Sequence, residues 1–257
     1  MRRLLTLVVV TLLSVAQVNA GGPWPKAKKS GYAQLGFTYL NYNSIFGPDG
    51  DGVALRRNVT DFSSQLYVEY GITDKLTLTA NLPFKYVFTG DDVLNSDSTF
   101  FGDTVASGNL FGLNTVLLGL KYNIINKKVI FSAGLNTEAN VAKYDSITTL
   151  RTGPSAWVFH PYLSVGTTFF SGKLFTFLDA GYRLRTHQYS DEVDFNFEVG
   201  YSWNYSTYFI FNLAGRISMQ EGAYDNGATA EVPRGRDLHT NLYPNNQQFV
   251  GYGLKFI

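Results

Sequence analysis

Residues 193–203 read Val-Asp-Phe-Asn-Phe-Glu-Val-Gly-Tyr-Ser-Trp. Side chains of a β-strand alternate between two faces, so this stretch has one apolar face and one polar face. The apolar face carries Val193, Phe195, Phe197, Val199, Tyr201 and Trp203, and the polar face carries Asp194, Asn196, Glu198, Gly200 and Ser202. The same alternation recurs along most of the chain. It predicts an all-β protein whose strands each have one strongly apolar, aromatic face.

The composition of the chain favours a barrel in a membrane. Only 16% of its 257 residues are charged, whereas a soluble domain carries about a quarter. Aromatic residues also make up 16%, and the mean hydropathy is −0.06. A helical membrane protein needs runs of about 20 apolar residues, and none follows the first 20 positions. Low charge, many aromatics and a period of two together predict a transmembrane antiparallel up-and-down β-barrel.

Several classes of chemistry are excluded by residue content. The chain has no cysteine, which excludes disulfides, thiolate metal sites, a cysteine nucleophile and lipoprotein acylation. It has no phosphate-binding loop, zinc-ligand spacing or nucleotide fingerprint, so no cofactor and no metal are expected. The net charge of +1 gives no reason to expect a nucleic-acid partner. The expected partners are outer-membrane lipid, the barrel-assembly machinery and a small-molecule solute.

The first 20 residues have the features of a secretory signal peptide. Arg2 and Arg3 precede a short apolar core at 4–16, and Val18-Asn19-Ala20 supplies small residues at the cleavage positions. Cleavage there starts the mature chain at Gly21. A membrane anchor is the alternative, and it is disfavoured because the apolar run is too short. The expected location is therefore the outer membrane of a Gram-negative bacterium.

Residues 21–30 contain two prolines, a tryptophan and three lysines, and they predict an irregular segment before the first strand. Such a segment either plugs the barrel or lies outside it. We favour an N-terminal periplasmic tail at 21–30, followed by the barrel at 31–257.

The alternation predicts about ten strands, with twelve as the alternative. They lie at 32–42, 61–70, 76–88, 114–124, 129–141, 156–169, 174–185, 193–203, 207–220 and 247–257. Tight turns at 73–75, 126–128, 171–173 and 204–206 alternate with loops at 43–58, 90–111, 143–155, 186–190 and 221–246. Bacterial barrels have an even strand number, short periplasmic turns and long outer loops. Hydrocarbon offers no hydrogen-bond partners, so the sheet is expected to close on itself.

Charged side chains within the predicted strands share the polar face, which is expected to line the lumen. A cation that faces lipid at mid-bilayer costs about 2–4 kcal/mol, which explains this placement. The predicted lumen residues are Glu69, Lys85, Lys121, Glu138, His160, Asp179, Arg183, Arg185, Asp194, Glu198, Arg216 and Lys255, with Asp61 on the same face. Aromatic side chains expected at the two membrane interfaces are Trp157 on the outer side and Trp203, Tyr205 and Tyr208 on the periplasmic side.

Two interpretations of this polar face remain. Cations and anions on it nearly balance, so it is either a charged pore lining or a salt-bridged filling. Barrels of about eight strands are filled by side chains, and those of sixteen or more hold aqueous channels. We favour an interior that is filled by salt-bridged side chains, because ten strands are closer to eight than to sixteen. Asp179, Arg183, Arg185, Asp194 and Glu198 are then members of one structural ion network.

Short stretches of the sequence resemble a family of outer-membrane proteins. Gly-Ile-Thr-Asp-Lys-Leu-Thr-Leu at 71–78, followed by Asn-Leu-Pro-Phe at 81–84, resembles the hairpin of this family. Leu-Gly-Leu-Lys-Tyr at 118–122 and Gly-Tyr-Arg-Leu-Arg at 181–185 resemble its strand ends. The family comprises transporter-like barrels linked to meta-pathway phenol degradation, which are distant relatives of the fatty-acid and toluene channels. The resemblance implies a transport barrel.

The function expected from the sequence is passive passage of a small molecule, with a hydrophobic one included, and without catalysis. One alternative is a hydrolase at the outer rim, for which His187 with Ser190, Asp191 and Glu192 is the candidate cluster. Another is a structural or adhesive barrel that acts through its loops at 90–111 and 221–246.

Overall fold

The structure is a computed structural model that describes residues 21–46, 52–90, 107–148, 150–204, 207–219 and 248–256. The predicted signal peptide, Tyr205, the loop at 221–246 and most of the loop at 90–111 lie outside the described residues. None of the described helices is long and apolar enough to cross a membrane.

The described chain is almost entirely β-structure, as the alternation predicted. The strands are β1 Gly31–Phe46, β2 Gly52–Gly71, β3 Leu76–Thr89, β4 Gly108–Leu113, β5 Val116–Asn126, β6 Val129–Ala139, β7 Val158–Phe169, β8 Leu174–Arg185, β9 Glu192–Ser202, β10 Tyr208–Ser218 and β11 Phe249–Phe256. One short 3₁₀ turn, Phe170–Gly172, joins β7 to β8. All pairings are antiparallel, and consecutive strands are neighbours in one curled sheet.

Two of the eleven strands, β4 and β5, occupy one position in this order. β4 pairs with β3 at Phe84–Thr89, and β5 pairs with β3 at Leu76–Asn81. The break between β4 and β5 falls beside Pro83 of β3, and this proline has no N–H to donate to the ladder. There the main-chain N–H of Asn114 donates to Pro83 O at 2.9 Å. The sheet therefore has ten strand positions, in agreement with the predicted number.

Two predicted boundaries are wrong. The region 43–58 was expected to be a loop, but β1 continues to Phe46 and β2 begins at Gly52. Likewise, β4 begins inside the predicted loop 90–111 and continues to Leu113. Both stretches are rich in Gly, Asp and Asn, which normally indicate turns. Pairing with an adjacent strand overrides that local preference, because each ladder satisfies backbone groups that a loop would leave to water.

All connections at one end of the sheet are short, as predicted, whereas those at the other end vary in length. Short connections join β2 to β3, β5 to β6, β7 to β8 and β9 to β10 at one end of the sheet. At the opposite end, long connections join β3 to β4, β6 to β7 and β10 to β11, and shorter ones join β1 to β2 and β8 to β9. We call the end with the short connections the turn end and the opposite end the loop end. β1 begins and β11 ends at the turn end.

The burial of side chains is inverted relative to a soluble protein. One face of the sheet exposes large apolar side chains, for example Leu118 (57% exposed) and Leu163 (52%). The other face buries charges, and Glu69 and Glu192 are both 0% exposed. Monomeric soluble proteins rarely expose apolar patches of this extent. The outer face is thus suited to lipid, and the inner face is polar.

The two edges of the sheet are β1 and β11. Within the described residues, β1 pairs with β2 alone and β11 pairs with β10 alone. Closure of the barrel between these edges stays a prediction.

Candidate functional site

The strand register places the predicted polar residues on the inner face. The ladder pairs Arg183 with Glu192, Asp179 with Asn196 and Arg216 with Asp194. Directly paired residues lie on the same face of a sheet. By this alternation the inner face holds Glu69, Lys85, Lys121, Glu138, His160, Asp179, Arg183, Arg185, Asp194, Glu198, Arg216 and Lys255, together with Asp61.

A cluster of three guanidinium groups surrounds the buried carboxylate of Glu192 near the loop end. Arg183 Nε and Arg216 Nε each lie 3.3 Å from Glu192 Oε2, and Arg185 Nη1 lies 3.0 Å from Oε1. A single buried carboxylate cannot neutralise three cations, so further acids must lie near them. Glu192 was expected in the rim cluster of His187, and its contact with three arginines was not predicted.

Arg183 connects Glu192 to two further carboxylates. Its Nη1 lies 2.7 Å from Glu138 Oε1, and its Nη2 donates to Glu138 Oε2 at 2.8 Å. The planar guanidinium therefore makes a bidentate pair, which is a strong form of ion pair. Arg183 Nη1 also lies 3.9 Å from Asp194 Oδ2. The three arginines and the three carboxylates of Glu138, Glu192 and Asp194 therefore form a layer on the inner face in which positive and negative charges are equal in number.

A second group of charges lies at the turn end, around the carboxylate of Glu69. Lys26 Nζ lies 3.1 Å from Glu69 Oε2, and Lys121 Nζ lies 3.5 Å from Oε1. The hydroxyl of Tyr67 donates to Glu69 Oε1 at 2.9 Å. Lys26 belongs to the N-terminal segment, so this ion pair ties that segment to the inner face.

The N-terminal segment Gly21–Lys26 packs against the inner face at the turn end. Lys121 Nζ donates to Gly22 O at 2.8 Å, and Ser132 Oγ donates to Pro23 O at 2.6 Å. Gly21 and Gly22 have φ of +86° and +72°, which glycine adopts without a Cβ penalty. These contacts correct our preference for a tail that lies away from the barrel, because residues 21–26 have hydrogen-bond partners on the strands.

Trp24 anchors this segment. Its ring makes edge contacts with Phe175 and Phe177, with centroid distances of 5.9 and 5.6 Å. Both phenylalanines lie on the otherwise polar inner face of β8, opposite Gly200 and Glu198. Sequence alternation did not identify Phe175 and Phe177 as inner residues. The signal was present, since two apolar residues on a polar face require an apolar partner.

A polar cavity of about 220 Å³ lies on the inner face, and Gly21 and Gly22 are among the residues that line it. The charged or titratable side chains that line it are those of Glu69, Lys121, His160, Asp179 and Asp194, with the phenols Tyr67 and Tyr162. The cavity borders both charge groups, since it shares Asp194 with the arginine cluster and Glu69 with the turn-end group.

Two of the cavity carboxylates have different environments. Asp194 Oδ1 lies 2.9 Å from His160 Nε2, and a Cβ at Gly181 would meet that same ring nitrogen at 2.1 Å. Asp179 accepts hydrogen bonds from Ser164 Oγ and from the side chain of Asn196. In the part of the chain that the structure describes, no Lys, Arg or His side chain forms an ion pair with Asp179.

The remaining predicted charges form local pairs outside this cavity. Lys85 Nζ lies 2.5 Å from Asp61 Oδ2, and Lys255 Nζ pairs with Glu198 Oε1. The side chain of Lys255 is 46% exposed, so solvent screens that pair more than the first.

The loop between β6 and β7, residues 140–157, folds onto the inner face near the loop end. Leu150 is fully buried with Val59 and Val87. Arg57 Nη2 donates to Thr148 O at 2.6 Å, and Thr152 Oγ1 donates to Leu113 O at 2.6 Å. This segment was expected to be an outer loop, and its packing against inner-face residues was not predicted.

Of the described interfacial aromatics, two lie at opposite ends of the sheet and one was misassigned. Trp157 precedes β7 at the loop end, and Trp203 follows β9 at the turn end, where it is 70% exposed. Tyr208 was expected at the periplasmic interface. It pairs with Ser202 on the inner face instead, and its ring centroid lies 6.4 Å from that of Phe175.

The candidate hydrolase cluster does not assemble around His187. His187 Nδ1 lies 2.8 Å from Thr186 Oγ1. Ser190 Oγ accepts from Ser218 Oγ at 2.8 Å, and Asp191 Oδ1 accepts from the main-chain N–H of Arg185. Each group therefore has a structural partner. Among the described residues, no three His, Asp or Glu side chains are placed to hold a metal ion.

Comparison with known proteins identifies a related fold and no family. No protein-family model and no curated protein sequence matches the chain. A solved structure that is similar is the COG4313 outer membrane channel from Pseudomonas putida F1, with a TM-score of 0.57 and 16% identity. The similarity covers 78% of this chain and 77% of that chain. At this identity the match establishes the fold: the chain has the antiparallel architecture of an outer-membrane β-barrel.

Proposed function

We propose that this protein is an outer-membrane channel for passive passage of small solutes, and that the N-terminal segment blocks its turn end in the conformation described here. The observation that carries the proposal is the polar cavity on the inner face, whose lining includes Gly21 and Gly22 of the N-terminal segment. The outer face is apolar and exposed, as a lipid-facing surface must be. The solved structure with a similar fold is described as an outer membrane channel.

Charge on the inner face favours small polar solutes. The cavity is lined by carboxylates, a lysine, a histidine and two phenols, and the arginine cluster lies next to it. Rings of charged side chains select among solutes and ions by their sign. The hairpin residues 71–84 support a transport role, as in the phenol-degradation barrels that they resemble.

The test is single-channel conductance of the refolded chain 21–257 in a planar bilayer. Removal of residues 21–25 should give larger and more frequent conductance steps, because it removes Trp24 and the groups that bond to Lys121 and Ser132. Trp24→Ala should act in the same direction, whereas Trp203→Ala, which changes an exposed ring, should leave the conductance unchanged. A deletion chain that folds and stays silent would overturn the proposal.

Ion selectivity provides a second measurement in the same bilayers. Arg183→Gln with Arg185→Gln removes two of the three cations of the arginine cluster. The permeability ratio of chloride to potassium should fall in the deletion chain that carries both substitutions. Unchanged selectivity would mean that ions do not pass along the inner face.

A further inference from the structure

We propose that the polar cavity is an ammonium-binding site built around Asp179, and that its occupant is the α-ammonium group of Gly21 after signal-peptide cleavage. The proposal concerns how the N-terminal segment is held and does not depend on conduction. It does depend on cleavage after Ala20, which the residues 18–20 predict.

The first observation is the set of partners of Asp179. It has two neutral hydrogen-bond donors, Ser164 and Asn196, and no ion pair with a described cation. The other two cavity carboxylates do have such partners. Glu69 is paired with Lys26 and Lys121, and Asp194 with His160 and Arg183. Asp179 is half-buried, and a partly desolvated carboxylate is stabilised by a nearby cation, so Asp179 is the carboxylate of the cavity with which an added cation would pair.

The cavity cations near Asp179 are already bound to other groups. The ammonium of Lys121 donates to Gly22 O at 2.8 Å and lies 3.5 Å from Glu69. That lysine is 3% exposed, so its position is determined by these two contacts. Arg183 is shared among Glu138, Glu192 and Asp194.

A second, independent observation is an unsatisfied hydroxyl in the cavity wall. Thr79 is 6% exposed and lines the cavity, and its Oγ1 has no hydrogen-bond partner among the described residues. An ammonium group has three N–H donors and no acceptor. A hydroxyl oxygen and a carboxylate in one small cavity are therefore suitable acceptors for it.

The identity of the bound cation is inferred from the position of Gly21, which lines the same cavity as Asp179 and Thr79. Cleavage after Ala20 converts the nitrogen of Gly21 from an amide into a primary amine, which is protonated at neutral pH. The segment 22–26 is held on the strands by Lys121, Ser132, Thr77 and Glu69. The chain thus carries its own cation into the cavity, and only a correctly processed chain would do so.

The experiment measures the pKa of the α-amino group in the refolded chain 21–257, with glycine labelled with ¹⁵N, by NMR. The ordinary value is about 7.7–8.0, and a nearby carboxylate raises it. We expect a value at least about one unit higher, and a return toward the ordinary range in Asp179→Asn. Glu198→Gln is the matched control, since it removes an inner carboxylate outside the cavity lining and should leave the value raised.

A second arm uses methylammonium as the probe and requires no substitution. Chemical acetylation of the α-amino group removes the cation and leaves Asp179 free. Methylammonium should then bind the acetylated chain at least tenfold more tightly than the chain with a free amine, as measured by calorimetry. An ordinary α-amino pKa in the unsubstituted chain, or equal binding by the two chains, would overturn the proposal. Failure of conductance with a raised, Asp179-dependent pKa would overturn the proposed function alone.

Discussion

Lys121 donates a hydrogen bond from its ammonium group to the main-chain oxygen of Gly22 at 2.8 Å, across a sequence separation of 99 residues. The same ammonium lies 3.5 Å from Glu69, which also binds Lys26. This one side chain therefore connects the inner face of β5, the inner face of β2 and the N-terminal segment. The turn end of the molecule is organised around it.

Lys121→Met should destabilise the protein more than the same change at Lys255. Breaking a buried ion pair costs about 3–5 kcal/mol, because the remaining charge stays desolvated, and Lys26 offsets part of this loss. We expect a loss of about 3 kcal/mol in the free energy of urea unfolding, measured in lipid vesicles. Lys255→Met changes a half-exposed pair and should cost less than about 1 kcal/mol. Equal losses for the two variants would show that the turn-end group is not a stabilising centre.

The bidentate pair of Arg183 and Glu138 should show strong energetic coupling. A double-mutant cycle with Arg183→Met and Glu138→Gln isolates the interaction from the separate effects of each substitution. Because both side chains are largely buried, we expect a coupling energy of about 1–3 kcal/mol in urea unfolding. A coupling below about 0.5 kcal/mol would indicate that the pair is replaced by other contacts in the arginine cluster.

The packing of the loop 140–157 on the inner face should depend on one buried apolar side chain, that of Leu150. Leu150 is 0% exposed against Val59 and Val87, and Leu→Ala changes at such sites cost about 2–5 kcal/mol. Leu150→Ala should therefore raise the rate of tryptic cleavage after Arg151 by at least about tenfold, since cleavage follows the open population. Ile147→Ala, which changes a side chain that is 74% exposed in the same loop, is the control and should leave that rate unchanged. Indistinguishable cleavage rates would contradict the packing of this loop on the inner face.

The turn at 145–148 should be sensitive to acid. Hydrogen bonds from the main-chain N–H of Ile147, and then from the Thr148 hydroxyl, hold the pKa of Asp145 below its ordinary value of 3.8. A depressed folded-state pKa means that the stabilisation is present above the unfolded value and is lost as the pH falls through the folded value. The amide shift of Ile147 should therefore titrate with a midpoint below 3.8, and Asp145→Asn should abolish the titration. A midpoint at or above 3.8 would refute this account of the turn.

Alternation along the sequence was sufficient to predict the all-β architecture, ten strand positions and the two faces of each strand. The reason is local: a period of two assigns every side chain of a strand to one of two faces. Val193–Trp203 and the strands 174–185 and 207–220 have the register that their apolar residues predicted. The predicted strand boundaries were wrong where strand pairing overrode the local composition. This happened at 43–58 and at β4, which pairs with β3 beside Pro83.

Which side chains contact one another on the inner face was decided by the tertiary structure. Sequence placed Glu192 in a rim loop, Tyr208 at an interface and residues 21–30 outside the barrel. The fold brings Glu192 between three arginines, Tyr208 against Phe175 and Gly22 against Lys121. Each of these contacts joins residues on different strands or segments, and none follows from the spacing within one strand. The chain thus determines which side chains face inward through local geometry, whereas curvature of the sheet determines which of them meet.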